Sequence, residues 1–243
     1  MNSTQTIPFK AINSDLRKYG PCLRGRVLIL EGLISAGKST AGTALATFVE
    51  NLGIPCKFFP EPLVPELLQL FLSDQKKYAF TFQLAMLVKR QAIYREAEEM
   101  AKKGYFCIID RGLYGDYCFA LMHKNKGNIS SDPLTLENSS GSEWQTYQSV
   151  LHGEQFEHPD YVLYLEVTPD VAIQRCKMRD REGEKKYNKE YFEELCAVYS
   201  SVIPASPAKG MAVINWNDGR NTEDIPRPLL DHIRKLYVTI STH

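Results

Sequence analysis

The stretch Arg26-Val27-Leu28-Ile29-Leu30-Glu31-Gly32-Leu33-Ile34-Ser35-Ala36-Gly37-Lys38-Ser39-Thr40 decides the fold. Its first six residues are apolar through the centre, the pattern of a parallel strand covered on both faces. From Gly32 to Ser39 the residues fit GxxxxGK[ST] in full. In that motif glycines let backbone N–H groups curl around phosphate oxygens, a lysine reaches the β- and γ-phosphates, and a hydroxyl suits Mg²⁺. A helix predicted from Lys38 to about Asn51, closed by Gly53 and Pro55, adds the positive end of its dipole. The motif thus sits between a strand and a helix, as phosphate binding requires. Gly32, Leu33, Ile34, Ser35, Ala36, Gly37, Lys38, Ser39 and Thr40 are the candidate triphosphate residues.

Working outward, strands and helices alternate. Cys56–Phe59 reads as a second strand, ended by Pro60-Glu61-Pro62. Gln75 to Lys103 is the longest helical stretch, with Tyr78, Phe82, Met86 and Ile93 at helical spacing and Gly104 as its stop. Tyr105–Ile109, ending at Asp110, is a third strand, Tyr161–Val167 a fourth and Ala212–Asn215 a fifth. Thr168-Pro169-Asp170 opens another helix, and the Asn-, Ser- and Gly-rich run from Asn125 to Gly141 reads as a surface loop. Alternation of this kind implies right-handed crossovers and a parallel sheet: a three-layer α/β fold with five strands, its ligands at the carboxyl ends of the strands.

Composition narrows the function. The 243 residues carry 29 Lys+Arg against 29 Asp+Glu, so a partner held chiefly by phosphate-backbone charge, such as duplex DNA, is not expected. With 44% hydrophobic and 24% charged residues, the chain can bury a full-sized core. Six cysteines without CxxC or metal-finger spacing read as reduced thiols. No apolar run reaches the ~20 residues of a membrane span, and the polar N-terminus with Asp15 lacks a signal core. The expectation is a cytoplasmic protein with no membrane or nucleic-acid partner. Residues 1–24 read as a flexible arm and 25–243 as a single domain.

Three constellations add chemistry. Glu61, just past the second strand, overlooks the same crevice as the phosphate loop and can take a proton from an attacking hydroxyl; an ordinary exposed loop glutamate is the alternative. Asp110 stands where P-loop enzymes place a Mg²⁺-organising acid, with Arg111 beside it to steady developing charge, unless the two are simply a strand-end ion pair. In the charge run, Arg175 and Arg179 share a helix face, and with Arg181 they can close over a triphosphate; a solvated helix surface is the alternative.

These residues resemble the deoxynucleoside kinase family from about Arg26 to Tyr199. The resemblance rests on ordered motifs: EGLISAGKST for the phosphate loop, Glu61-Pro62, the helix segment Lys77-Tyr78-Ala79-Phe80-Thr81-Phe82-Gln83, Asp110-Arg111-Gly112, and the arginine-rich lid Arg175 to Glu184. The short gap between Glu61 and Gln83 is closer to bacterial and some large-DNA-virus members, for which the compartment would be the host cytoplasm. The resemblance implies ATP-dependent phosphorylation of a deoxynucleoside 5′-hydroxyl, with Mg²⁺ held by Ser39 and Asp110. Glu61 would be the general base, Arg111 and Lys38 its catalytic companions, and Arg175, Arg179 and Arg181 donor contacts. Phe82, Gln83, Arg90 and Asp116 would meet the nucleobase, and Glu184 the 3′-hydroxyl. Gln83 and Arg90, two turns apart, can face one pocket; a surface pairing of Arg90 with a neighbouring glutamate is the alternative. Arg90 and Asp116 match the pair that favours deoxycytidine and purine deoxynucleosides over thymidine. A homodimer through the Gln75–Lys103 helix is also implied. Two positions depart from the family: Leu72 stands where it has a tyrosine, and Gly112, in place of a serine, is expected to loosen the turn. The rivals are a thymidylate kinase and a P-loop switch without a small-molecule acceptor.

Overall fold

The computed structural model describes residues 6–7, 23–132, 141–157, 159–179, 187–217 and 225–226. Five parallel strands form the sheet: β1 (Val27–Glu31), β2 (Cys56–Phe59), β3 (Phe106–Asp110), β4 (Tyr161–Glu166) and β5 (Gly210–Asn215), in the spatial order β2-β3-β1-β4-β5. Leu30 is paired with Asp110 and with Leu163, so the phosphate-loop strand lies at the centre of the sheet. Thr6–Ile7 forms a separate antiparallel ladder with Ile225–Pro226; most of the arm assigned to residues 1–24 lies outside the described residues.

Every residue of β1 and β3 is buried, which is why both read as continuous apolar runs. One sheet face packs Leu28, Leu30, Ile108, Leu163 and Leu165 against α1 (Lys38–Asn51) through Leu45, Phe48 and Val49. The other packs Val27, Ile29, Cys107, Ile109 and Val162 against Tyr94, Ala97 and Ala101 of the long helix Gln75–Lys102. The three-layer α/β expectation therefore holds.

Element ends differ slightly from the sequence reading. The third strand is Phe106–Asp110, β4 stops at Glu166, and β5 starts at Gly210, where its pairing with Tyr161 begins. Helices the sequence reading did not assign complete the layers. They are α2 (Pro65–Ser73), α4 (Leu113–Asn125), α5 (Glu143–Gly153) and α7 (Lys189–Val202), which accompany α3 (Gln75–Lys102) and α6 (Pro169–Arg179). Asp74 caps α3, its side chain accepting from Lys77 N at 3.0 Å. The expected loop from Asn125 begins as α4 ends; residues 133–140 lie outside the described residues.

Candidate active site

The strand ends open into a cleft of about 1020 Å³. Its phosphate end is made of backbone. Gly37 (φ 100°) and Ser35 (φ 58°) both take left-handed conformations, which turn the chain back on itself before α1. Leu33 and Ala36 are fully buried, so their side chains anchor the loop from beneath. Ile34, Ser35, Gly37, Lys38, Ser39 and Thr40 line the cleft. Gly32 has no alternative: at φ 152° a Cβ would lie 2.8 Å from the Leu165 carbonyl oxygen. Lys38 Nζ donates to the Gly32 and Leu33 carbonyls at 3.2 and 3.0 Å. Burial, then the Arg111 charge, lowers its ammonium to about 8.

The acceptor end is made of side chains from six places in the chain. Glu61, 35% exposed, accepts at a single oxygen from two guanidinium groups: Oε1 lies 2.8 Å from Arg90 Nη2 and 2.7 Å from Arg111 Nε. Arg111 Nη1 also donates to the Gly32 carbonyl at 3.0 Å and to Tyr199 Oη. Arg90 Nη1 donates to Asp116 Oδ1, and Tyr147 Oη donates to Asp116 Oδ2 at 2.6 Å. The surface pairing considered for Arg90 is thereby excluded, and Arg111 pairs with Glu61 instead of its neighbour Asp110. Burial pushes the Glu61 carboxyl up, but Arg111, Arg90 and Lys38 together overcome it and hold the group well below the usual carboxylate range. For Asp116 burial wins over Arg90 and Tyr147, and its carboxyl is raised.

Gln83 and Arg90 do face one pocket: both line the cleft, 2% and 6% exposed, and Gln83 Nε2 and Arg90 Nε are buried without a partner. Phe82 lines the same wall and stacks on Phe71, ring centroids 4.7 Å apart and 13° between planes. Leu72 is buried in the apolar cluster behind that wall.

Asp110 is 1% exposed; its Oδ2 accepts from Ser39 Oγ, and its Oδ1 is buried without a partner. A hydroxyl and a carboxylate are hard oxygen donors, and this sparse set suits Mg²⁺, which keeps waters and phosphate oxygens as its other ligands. Among the described residues no three His, Cys, Asp or Glu converge as a protein-only cage.

Around the lid, Arg175 ties the phosphate loop to the end of β5, donating to the carbonyls of Ala36, Trp216 and Asn217 at 2.9, 2.8 and 2.9 Å. Arg179, at the exposed end of α6, lines the cleft. Arg181 and Glu184 lie outside the described residues.

Two further residues were missed by the sequence reading. Glu31, fully buried at the end of β1, accepts from the backbone N–H groups of Gly112 and Gly115 at 2.9 and 3.0 Å. It thereby pins the turn that carries Arg111, whose left-handed φ of 67° is strained for a non-glycine residue. At Gly112 a Cβ would lie 2.7 Å from Ile29 Cδ1, so a serine there would require the buried Ile29 side chain to shift. Trp216 closes the phosphate end, its indole Nε1 lying 3.1 Å from where a Gly37 Cβ would stand. Glu31 was legible as a carboxylate abutting the phosphate loop, whereas Trp216 carried no local signal.

A phosphate cradle of main-chain amides facing a carboxylate across one cleft defines a P-loop phosphotransferase. The chain matches the deoxynucleoside kinase family over residues 28–237 and belongs to it. It is 27% identical over 206 residues to a deoxyadenosine kinase of Dictyostelium discoideum, covering 84% of this chain and 77% of the relative. It is 26% identical over 209 residues to a deoxyadenosine/deoxycytidine kinase of Bacillus subtilis, covering 83% and 90%. A thymidylate kinase of Arabidopsis thaliana is 26% identical over 219 residues, covering 87% and 73%. In fold the chain is similar to deoxyadenosine kinase from M. mycoides solved with bound dATP: TM-score 0.67, 24% identity, covering 85% of this chain and 98% of that one. The protein is a deoxynucleoside kinase, a phosphotransferase.

Proposed function

We propose that the enzyme transfers the γ-phosphoryl group of ATP to the 5′-hydroxyl of deoxycytidine, deoxyadenosine or deoxyguanosine in preference to thymidine, for nucleotide salvage. The observation that carries this preference is the buried Arg90–Asp116 pair beside Gln83, which leaves the partnerless Gln83 Nε2 and Arg90 Nε in the wall of the acceptor pocket. Buried donors of that kind favour a base edge that can satisfy them and penalise one that cannot.

In this reading Glu61 takes the 5′-hydroxyl proton as the oxygen attacks phosphorus; the new O–P bond forms as the β,γ-bridging bond breaks and ADP leaves. Arg111 and Lys38 neutralise charge on the transferring group, with Arg179 and Arg181 closing from the lid and Arg175 bracing the loop beneath them. Phe82 lies along the base, and Glu184 meets the 3′-hydroxyl. Ser39 and Asp110 would hold Mg²⁺, which when bound neutralises phosphate charge. The pairing of Glu61-Pro62 with Phe82-Gln83 in one cleft favours a nucleoside over dTMP as acceptor. A homodimer through α3, whose Val88 is 50% exposed, and a cytoplasmic location complete the reading.

Coupled-assay turnover on the four deoxynucleosides and dTMP, with ATP and Mg²⁺, tests it. Deoxycytidine or a purine deoxynucleoside is expected to give the highest kcat/KM; a preference for thymidine or dTMP refutes the assignment.

A further inference from the structure

Arg90 has two tasks in one place. Its Nη2 bonds Glu61 Oε1 at 2.8 Å, its Nη1 is committed to Asp116, and its Nε is buried without a partner in the wall that Gln83 shares. Arg111 Nε occupies the same Glu61 oxygen at 2.7 Å. The carboxylate is therefore held at Oε1 by two cations, and charge-assisted bonds of this sort are the strong ones. Both guanidinium groups sit on Oε1, and two cations beside one carboxylate lower its basicity, so it takes up the 5′-hydroxyl proton less readily. Burial favours protonation of Glu61, but the surrounding Arg111, Arg90 and Lys38 charges outweigh it.

The two clamps are not equivalent. Arg111 is fixed by the Gly32 carbonyl, Tyr199 Oη and its own strained backbone. Arg90 is held by the side chains of Asp116 and Glu61, and its unsatisfied Nε would gain a partner if the group tilted toward a ligand in the pocket.

Building on the acceptor assignment above, we propose that Arg90 is shared between the nucleobase and Glu61. A base edge that bonds Arg90 draws its Nη2 off Oε1, removes one of the two cations there and so raises the basicity of the carboxylate toward the 5′-hydroxyl. Base recognition is then expressed in turnover, not only in binding, because the wrong base leaves the clamp closed.

The test separates a base from its sugar. Wild-type enzyme, with ATP and Mg²⁺, is assayed on deoxycytidine, on deoxyadenosine and on the base-free acceptor 1,2-dideoxyribose, the last with and without free cytosine or adenine. The base-free acceptor is expected to show a kcat about tenfold below that of the better nucleoside, the size of one charge-assisted hydrogen bond. Free base added in trans should recover several-fold of it. In Arg90→Met the base-free kcat should rise above the wild-type value, the added base should do nothing, and nucleoside and base-free kcat should converge. If Arg90→Met raises only KM for the nucleosides and preserves the kcat ratio, or if free base never stimulates the wild type, the sharing is refuted while the acceptor assignment stands. Should wild-type enzyme phosphorylate no deoxynucleoside, the assignment itself falls and takes the sharing with it. The in-trans measurement on the wild type decides the matter even if the variant does not fold.

Discussion

The two ends of the cleft are built on different principles. The donor end is one contiguous run, Gly32 to Thr40, that presents main-chain amides and needs side chains mainly to hold the loop down. The acceptor end is a relay of charged side chains, Tyr199–Arg111–Glu61–Arg90–Asp116–Tyr147, drawn from α7, the turn after β3, the loop after β2, α3, α4 and α5. The first binds by shape and is defeated by an added carbon. The second binds by charge balance and is defeated by removing a partner. Substitutions at the two ends should therefore fail differently.

The largest effect is expected from Glu61→Gln, which keeps hydrogen bonding and removes the base. Turnover should fall by about 10²–10⁴-fold while nucleoside binding, followed by calorimetry, survives. Near-normal turnover would remove Glu61 from the chemistry. Next comes Asp116→Ala, which leaves Arg90 with one carboxylate and Tyr147 with none. Breaking such a buried pair costs about 3–5 kcal/mol, read as a lower urea midpoint.

At the donor end, Gly32→Ala meets the Leu165 carbonyl at 2.8 Å. A strain of about 1–3 kcal/mol is expected, with the KM for ATP rising more than that for the nucleoside. A comparable effect away from both ends comes from His123, buried against Phe71, whose imidazole burial lowers from 6.5 to about 4. Below pH 6.5 the unfolded chain takes a proton that the folded one refuses, so stability is lost as pH falls from about 6.5 toward 4. The loss should reach about 2 kcal/mol by pH 5 and shrink in His123→Leu. The smallest effect belongs to the exposed Lys57–Glu96 pair: Glu96→Ala should leave the urea midpoint unmoved.

Legibility followed the same division. The phosphate loop and the fully buried strands β1 and β3 could be read because their signal is local. Helix α5 was legible in principle: Ser142 and Gln145 form a capping box, and the S-x-x-Q pattern stands in the sequence. So was α7, with Asn188 as its cap and Tyr191, Phe192, Leu195 and Tyr199 on one face. Both were passed over because charged or loop-like neighbours drew the reading. The partner of Glu31, in contrast, lies 81 residues away, and nothing around Gly112 announces it.

By itself the sequence determined the parallel α/β layering, the triphosphate cradle and the identities of the acids and arginines, since periodicity and a contiguous glycine motif depend only on near neighbours. The tertiary structure alone decided who pairs with whom: that Glu61 is gripped at one oxygen by Arg90 and Arg111, and that Arg175 braces backbone carbonyls. Such pairings are set by the crossovers that bring distant strand ends and helices to one edge of the sheet, where burial makes each charge depend on the partner it meets.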